Sequence, residues 1–226
     1  MKPATNNAED QRESPTPTAW FRADCRDCAR LAAFLAQVKR EHNDYLCQPV
    51  PPWGAPDAEL LIVGLAPGLH GANATGRPFT GDHAGLLLYR TLHRFGFATA
   101  PQSRARGDGL ALRNCRITNA VKCLPPANKP RGDEVARCNR YLAAELAEPH
   151  LKLVLALGQL AHRAVLRAFG LPQRSHPFAH NARHRIAGGP LLFDSYHCSR
   201  YNTNTRRLTE AMFHQVFARI AAQLAR

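Results

Sequence analysis

Apolar residues in this chain gather into four short runs separated by longer amphipathic stretches. The runs Leu60 to Leu65, Cys115 to Val121, Leu151 to Leu157 and Leu191 to Tyr196 are nearly continuous, the pattern of strands buried on both faces. Around them, apolar residues recur at helical spacing in 84–95 (Leu88, Leu92, Phe95), 133–148 (Val135, Leu142, Leu146), 159–169 (Ala161, Val165, Ala168) and 208–224 (Leu208, Met212, Val216, Ile220, Leu224). Leu31, Leu35 and Val38 mark an earlier helix, after which Pro49, Pro51, Pro52 and Pro56 impose extended loop. Strands alternating with helices predict an α/β fold whose sheet of four parallel strands is covered on both faces through right-handed crossovers. Residues 1–19 mix Pro, Thr, Asn and charges with little to bury, which predicts a disordered tail before a single domain spanning 20–226.

Charge adds a partner to this picture. Lys and Arg number 30 against 17 Asp and Glu, a formal charge of +13, so the surface field attracts polyanions and nucleic acid leads the list. Charge alone is equally compatible with a ribosome-associated protein. No segment has the run of roughly 18 to 20 apolar residues that a membrane helix needs, and the N-terminus lacks a signal-peptide core, so a cytoplasmic, nucleoid-associated location is expected. Seven cysteines in a chain large enough to build its own core point to reduced thiols, some of them metal-bound, rather than to a disulfide framework.

Four of those cysteines form a constellation. Cys25 and Cys28 can reach one ion or cluster together, and Cys123 and Cys138 lie either side of a Pro-rich turn. Such a set closes a tetrahedral zinc site or holds a cubane cluster, and the spacing does not choose between them. Cys47, Cys115 and Cys198 are left out; Cys115 lies in an apolar run and behaves as a small hydrophobe. In a parallel sheet, ligands bind beyond the carboxyl ends of the strands. Here those ends carry a Gly-rich loop after Gly64, Asn119 at the close of the second run, and His197 and Ser199 after the fourth.

Three stretches, GLAPGLHGANATGRPFTGDHAG (64–85), ITNAVKCLPPANKP (117–130) with Cys138 following, and SYHCSRYNTNTRRLT (195–209), resemble the iron-sulfur uracil-DNA glycosylases of the type B, or fifth, family. The resemblance covers nearly the whole chain from Cys25 to Met212. It implies a three-layer α/β/α sandwich and a structural [4Fe-4S] cluster on Cys25, Cys28, Cys123 and Cys138. It also implies a monofunctional N-glycosyl hydrolase without a lyase step, acting as a monomer on DNA that contains uracil or other deaminated bases.

The residues bear on this chemistry directly, because an enzyme that attacks a glycosidic bond must hold a flipped base. Phe79 offers a stacking platform, and the carboxamide of Asn119 presents the donor and acceptor that a uracil edge requires. The resemblance places base-binding backbone at Ala66 and Gly68 and the catalytic histidine at His197, aimed at a base oxygen. Ala66 replaces the acid of the best-known uracil glycosylases, which leaves Asn73 as the residue expected to orient water. Asp82 reads instead as the N-cap of the helix starting near His83. Ser199 is expected to bond a phosphate, with Arg200, Tyr201 and Asn202 on the DNA face and Arg200 and Tyr201 filling the gap left by the flipped nucleotide. Cys198 stands where the family pattern has proline.

Two other classes compete. A non-catalytic iron-sulfur or zinc module that holds nucleic acid by charge would require nothing special at Asn119 or His197. A redox or nucleotide-processing enzyme would use the loop after Gly64 to cradle a phosphorylated ligand, but that loop lacks the Lys and Ser/Thr of a P-loop.

Overall fold

The computed structural model describes residues 16–225. Most of the expected N-terminal tail, residues 1–15, thus lies outside the described residues. Trp20 is buried, stacks beneath the Arg116 guanidinium at 4.0 Å and donates its indole N–H to Glu148 at 3.1 Å.

All four predicted strands form and pair in parallel. They are β2 (Leu60–Gly64), β3 (Cys115–Asn119), β4 (Leu153–Leu157) and β6 (Leu191–Ser195), in spatial order β3-β2-β4-β6. The expected four-stranded sheet is nevertheless a mixed sheet of six strands. β1 (Trp53–Gly54) joins one edge antiparallel to β3, and β5 (Arg183–Arg185) joins the other antiparallel to β6. Both additions are edge strands of two and three residues, one within the Pro-rich segment and one wholly polar, so neither has an apolar period to read.

Alternation along β2 and β4 divides the core. Leu60, Ile62, Leu153 and Leu155 pack with Leu88, Leu92, Phe213 and Phe217, whereas Leu61, Val63, Val154 and Ala156 pack with Leu142, Leu146, Ala161 and Val165. Helices α3 (His83–Arg94) and α7 (Glu210–Leu224) therefore cover one face, and α4 (Gly132–Leu146) and α5 (Gln159–Ala168) the other. The result is three layers. Helix α1 (Ala29–Glu41) forms a satellite core, Leu35 and Val38 packing with Cys47 and Leu124. Two short helices, α2 (Ala72–Thr75) and α6 (Arg200–Asn204), lie in loops that leave the C-terminal ends of strands. Among the described residues, no helix is long and apolar enough to cross a membrane.

Candidate active site

A cleft of about 280 Å³ opens beyond the C-terminal ends of β2, β3 and β6. Its walls include Ala66, Gly68, Phe79, Asn119, His197, Ser199 and Arg200, seven of the predicted site residues from three separate parts of the chain. Topology brings them together: Gly64 and Asn119 are register partners at the ends of β2 and β3, and Ser195 ends β6 two positions before His197.

Phe79 is held in a left-handed backbone conformation with φ of 54°, which a non-glycine residue adopts only at a price of roughly 1–3 kcal/mol. Its surroundings enforce it. A Cβ on Gly85 would lie 1.8 Å from the Phe79 carbonyl oxygen, and a Cβ on Gly64 would lie 2.4 Å from Asn119 Oδ1 and 2.7 Å from the Phe79 ring. Both glycines allow the close approach that sets Phe79 and Asn119 side by side. The preceding turn is clamped as well, since Tyr89 donates to the Pro78 carbonyl at 2.6 Å and Arg77 pairs with Asp108 at 2.8 Å while lying over Trp53. The paired guanidinium helps hold the Asp108 carboxyl down at about 2.

Across the cleft, the His197 ring lies 6.0 Å from that of Phe79, tilted by 31°. Part of its surface stays accessible, yet the protein around it excludes enough water to push its pKa down to about 4. The imidazole is therefore neutral at pH 7 and carries one N–H donor. Asn202 supports it from behind, donating to the His197 carbonyl at 2.8 Å. Ser199 caps α6 by accepting the Asn202 backbone N–H at 3.4 Å. Tyr201 does not line the cleft; it stands on the adjoining surface, 71% exposed.

Asn73 is not brought into the cleft. It lies in α2, fully buried, with its Nδ2 3.5 Å from both Cys47 Sγ and the Leu69 carbonyl. The reason is local: the chain after Gly71 turns helical for four residues, which presents Ala72 to the cleft and turns Asn73 inward. Asp82 does line the cleft. Its Oδ1 accepts the Gly85 N–H at 2.9 Å, the expected N-cap of α3, and burial raises its pKa. Sequence reasoning missed His83 and Asn128 as cleft residues; a polar Asn in the turn before Pro130 was the only signal for the latter.

The four cysteines meet elsewhere. Cys25, Cys28, Cys123 and Cys138 are free thiols lining one small cavity of about 20 Å³. Cys28 is the N-cap residue of α1, Cys123 follows β3 and Cys138 lies in α4, so the set joins the N-terminal segment to the sheet. Burial, followed by the neighbouring thiols, pushes Cys123 up to about 12, and burial raises Cys138 against the pull of Lys122. Cys138 Sγ accepts the Lys122 N–H at 3.4 Å. Among the described residues, no three of the four sulfurs lie within 4.8 Å of one another. The segment from Asn119 to Cys123 is braced below by the buried Lys122, whose ammonium lies 2.6 Å from Glu145, itself bonded by Thr118 at 2.8 Å.

A family model for the uracil-DNA glycosylase superfamily matches residues 51–221. The chain belongs to that superfamily. The match includes every residue lining the cleft, together with Cys123 and Cys138, and leaves Cys25 and Cys28 before it. Superfamily relatives extend the likeness further. The chain is 46% identical over 198 residues to a Type-5 uracil-DNA glycosylase of Thermus thermophilus, an alignment covering 85% of this chain and 90% of the relative. It is 40% identical over 217 residues to the Type-5 uracil-DNA glycosylase of Pyrobaculum aerophilum, covering 92% and 95%. With that of Mycobacterium leprae it shares 42% over 210 residues, covering 89% and 91%.

Proposed function

We propose that this chain is a DNA-repair glycosylase that takes uracil, and other deaminated bases, out of the DNA stack and hydrolyses the N-glycosidic bond to leave an abasic site. The shared name of its relatives supports the reaction class. The observation that carries the reading is the convergence of Asn119, Phe79 and His197 in one cleft. A protein that merely held nucleic acid by its charge would have no use for that arrangement.

The chemistry follows from where charge develops. A flipped base enters the cleft, stacks on Phe79 and is read along its edge by Asn119. Bond breaking leaves negative charge on the base and positive character on the sugar. The neutral His197 N–H donates to a base oxygen as that charge grows, an interaction of a few kcal/mol that is strongest in the transition state. Water then adds to the cationic sugar carbon and releases a proton that balances the anion of the departed base; no carboxylate stands at Ala66, and Asn73 lies behind the cleft wall, so leaving-group stabilisation is the larger part of the mechanism. Asp82 is the carboxylate that lines the cleft, and its charge favours the cationic sugar. Arg200 and Tyr201, at the mouth, fill the gap in the duplex, and Ser199 meets the DNA backbone, while Asn202 holds the His197 loop from behind. The enzyme works as a monomer on DNA, at the nucleoid.

The cysteine set suits a [4Fe-4S] cluster. Four cysteines around one small cavity supply the thiolates that such a cluster takes. When bound, the cluster supplies a covalent tie rather than redox chemistry. Cys25 and Cys28 fix the start of α1, while Cys123 and Cys138 hold the loop that leaves Asn119.

The test is incubation of the purified protein with oligonucleotides carrying single uracil, hypoxanthine, xanthine or hydroxymethyluracil, followed by detection of abasic sites. Abasic product from uracil is expected. Binding without product from any of the four would reduce the protein to a nucleic-acid-binding module.

A further inference from the structure

A cluster at the β5 edge of the sheet, outside the lining of the cleft, has the makings of a second site. Asp194 in β6 is fully buried, and its two carboxylate oxygens face two imidazoles: His162 Nδ1 of α5 lies 2.8 Å from Oδ1, and His184 Nε2 of β5 lies 2.9 Å from Oδ2. Among the described residues this trio is the one set of His, Cys, Asp or Glu ligand atoms that lie mutually within 4.8 Å.

The second observation is at the far side of the His162 ring. Its Nε2 lies 2.8 Å from the His176 carbonyl oxygen, which can only accept, so Nε2 carries the proton. In a neutral ring Nδ1 is then a lone pair aimed at a carboxylate lone pair across 2.8 Å. Two acceptors at that distance in a buried place require a cation between them, either a second proton on the ring or a metal ion.

We propose that His162, His184 and Asp194 form a metal site for one divalent transition ion of the zinc class, separate from the four cysteines. Two imidazoles and a carboxylate are a donor set that zinc accepts, with a fourth position left for water. The His162 ring donating to a backbone carbonyl is the outer support that metal-bound histidines commonly have. On binding, the ion takes the Nδ1 lone pair of His162, the Nε2 lone pair of His184 and an oxygen of Asp194; His184 keeps its own proton on Nδ1. Bonds of about 2.0–2.1 Å in tetrahedral geometry set ligand atoms roughly 3.3 Å apart, so the trio must open by about half an ångström. β5 can supply that movement, being a three-residue edge strand with Arg183 and Arg185 exposed. The ion would pin β5 to α5 and β6, three residues before His197.

The experiment uses the full chain as purified, with metal content measured first, and titrates zinc chloride by calorimetry while following thermal unfolding. The wild type is expected to take up one zinc per chain beyond any held by the cysteines and to unfold at a higher temperature. His184→Gln, at the partly exposed edge, and His162→Gln should each lose that uptake by more than the roughly 10- to 100-fold that loss of an outer-shell partner costs, with iron content unchanged. Should the buried His162→Gln fail to fold, His184→Gln decides alone. No uptake by the wild type at about 100 µM zinc, roughly a thousandfold or more above the dissociation constants that about 10–16 kcal/mol for structural zinc implies, would overturn the proposal and leave a proton as the occupant. Uptake equal in wild type and His184→Gln would also overturn it.

Discussion

Asn202 donates its side-chain amide to the backbone carbonyl of His197 at 2.8 Å. A residue read from the sequence as part of the DNA-facing surface thus supports the loop that carries the imidazole. The same residue's backbone N–H is the one Ser199 accepts to cap α6, so the mouth of the cleft and His197 are held as one unit.

Asn202→Ala should leave the His197 carbonyl without its partner, at a stability cost of about 1 kcal/mol. The expected kinetic result is a drop in single-turnover cleavage smaller than that of His197→Ala, with DNA affinity little changed. Thermal unfolding and single-turnover rates on one preparation check both. A variant with wild-type cleavage would show that the loop is positioned by other contacts.

Asp82 allows a clean separation of structure from charge. Asn caps helices about as well as Asp, so Asp82→Asn should keep stability within about 0.5 kcal/mol. If the carboxylate charge favours the cationic sugar, cleavage should fall roughly 10-fold, equivalent to about 1.4 kcal/mol. Burial raises the Asp82 pKa, so the ionised form needed for this work is lost on acidification at a pH above the ordinary carboxylate value near 3.9. The acid limb of the wild-type rate profile should therefore be absent in the Asn variant. A folded variant with an unchanged rate and profile would confine Asp82 to capping.

The cysteine set predicts a brown protein with broad absorbance near 400 nm and about four iron atoms per chain. Stoichiometric zinc without iron in anaerobically prepared material would remove the cluster assignment. Cys25→Ser or Cys138→Ser should lower iron content and thermal stability together, because the two residues lie on opposite sides of the tie between the N-terminal segment and α4. Iron loss with unchanged unfolding temperature would deny the cluster its structural role.

How much of this was legible depended on how far apart in the chain the determining contacts lie. The strands β2, β3, β4 and β6 are buried on both faces, so each is a short apolar run that can be read directly. Asn119 stood out because a carboxamide ends such a run, and the Asp82 cap because its partner Gly85 is three residues away. Asn73 was misplaced because its direction is set by a four-residue helix that four residues cannot announce. β5 and the trio of His162, His184 and Asp194 were invisible for the opposite reason: three elements contribute one residue each, and only the assembled edge of the sheet brings them into contact.

His197 carries the sharpest prediction, since its proposed hydrogen bond exists in full only as the base departs. Its loss should appear in the rate of chemistry more than in binding. His197→Ala should lower single-turnover cleavage by roughly 10²-fold or more, while affinity for uracil-containing DNA changes a few-fold and iron content stays the same. The pKa of about 4 adds a second readout. An imidazole neutral from pH 5 upward gives no inflection in the rate near 6.5, the ordinary histidine value. In stability the sign is set by proton binding: the unfolded histidine titrates near 6.5 and the folded one near 4, so between these values the unfolded state binds more protons. The contribution is present above pH 6.5 and is lost as pH falls through about 4. His197→Ala should therefore unfold with a shallower pH dependence over that window. Cleavage within about threefold of wild type, together with an unchanged slope of stability against pH, would make His197 a structural residue at a strand end and remove the leaving-group mechanism built on it.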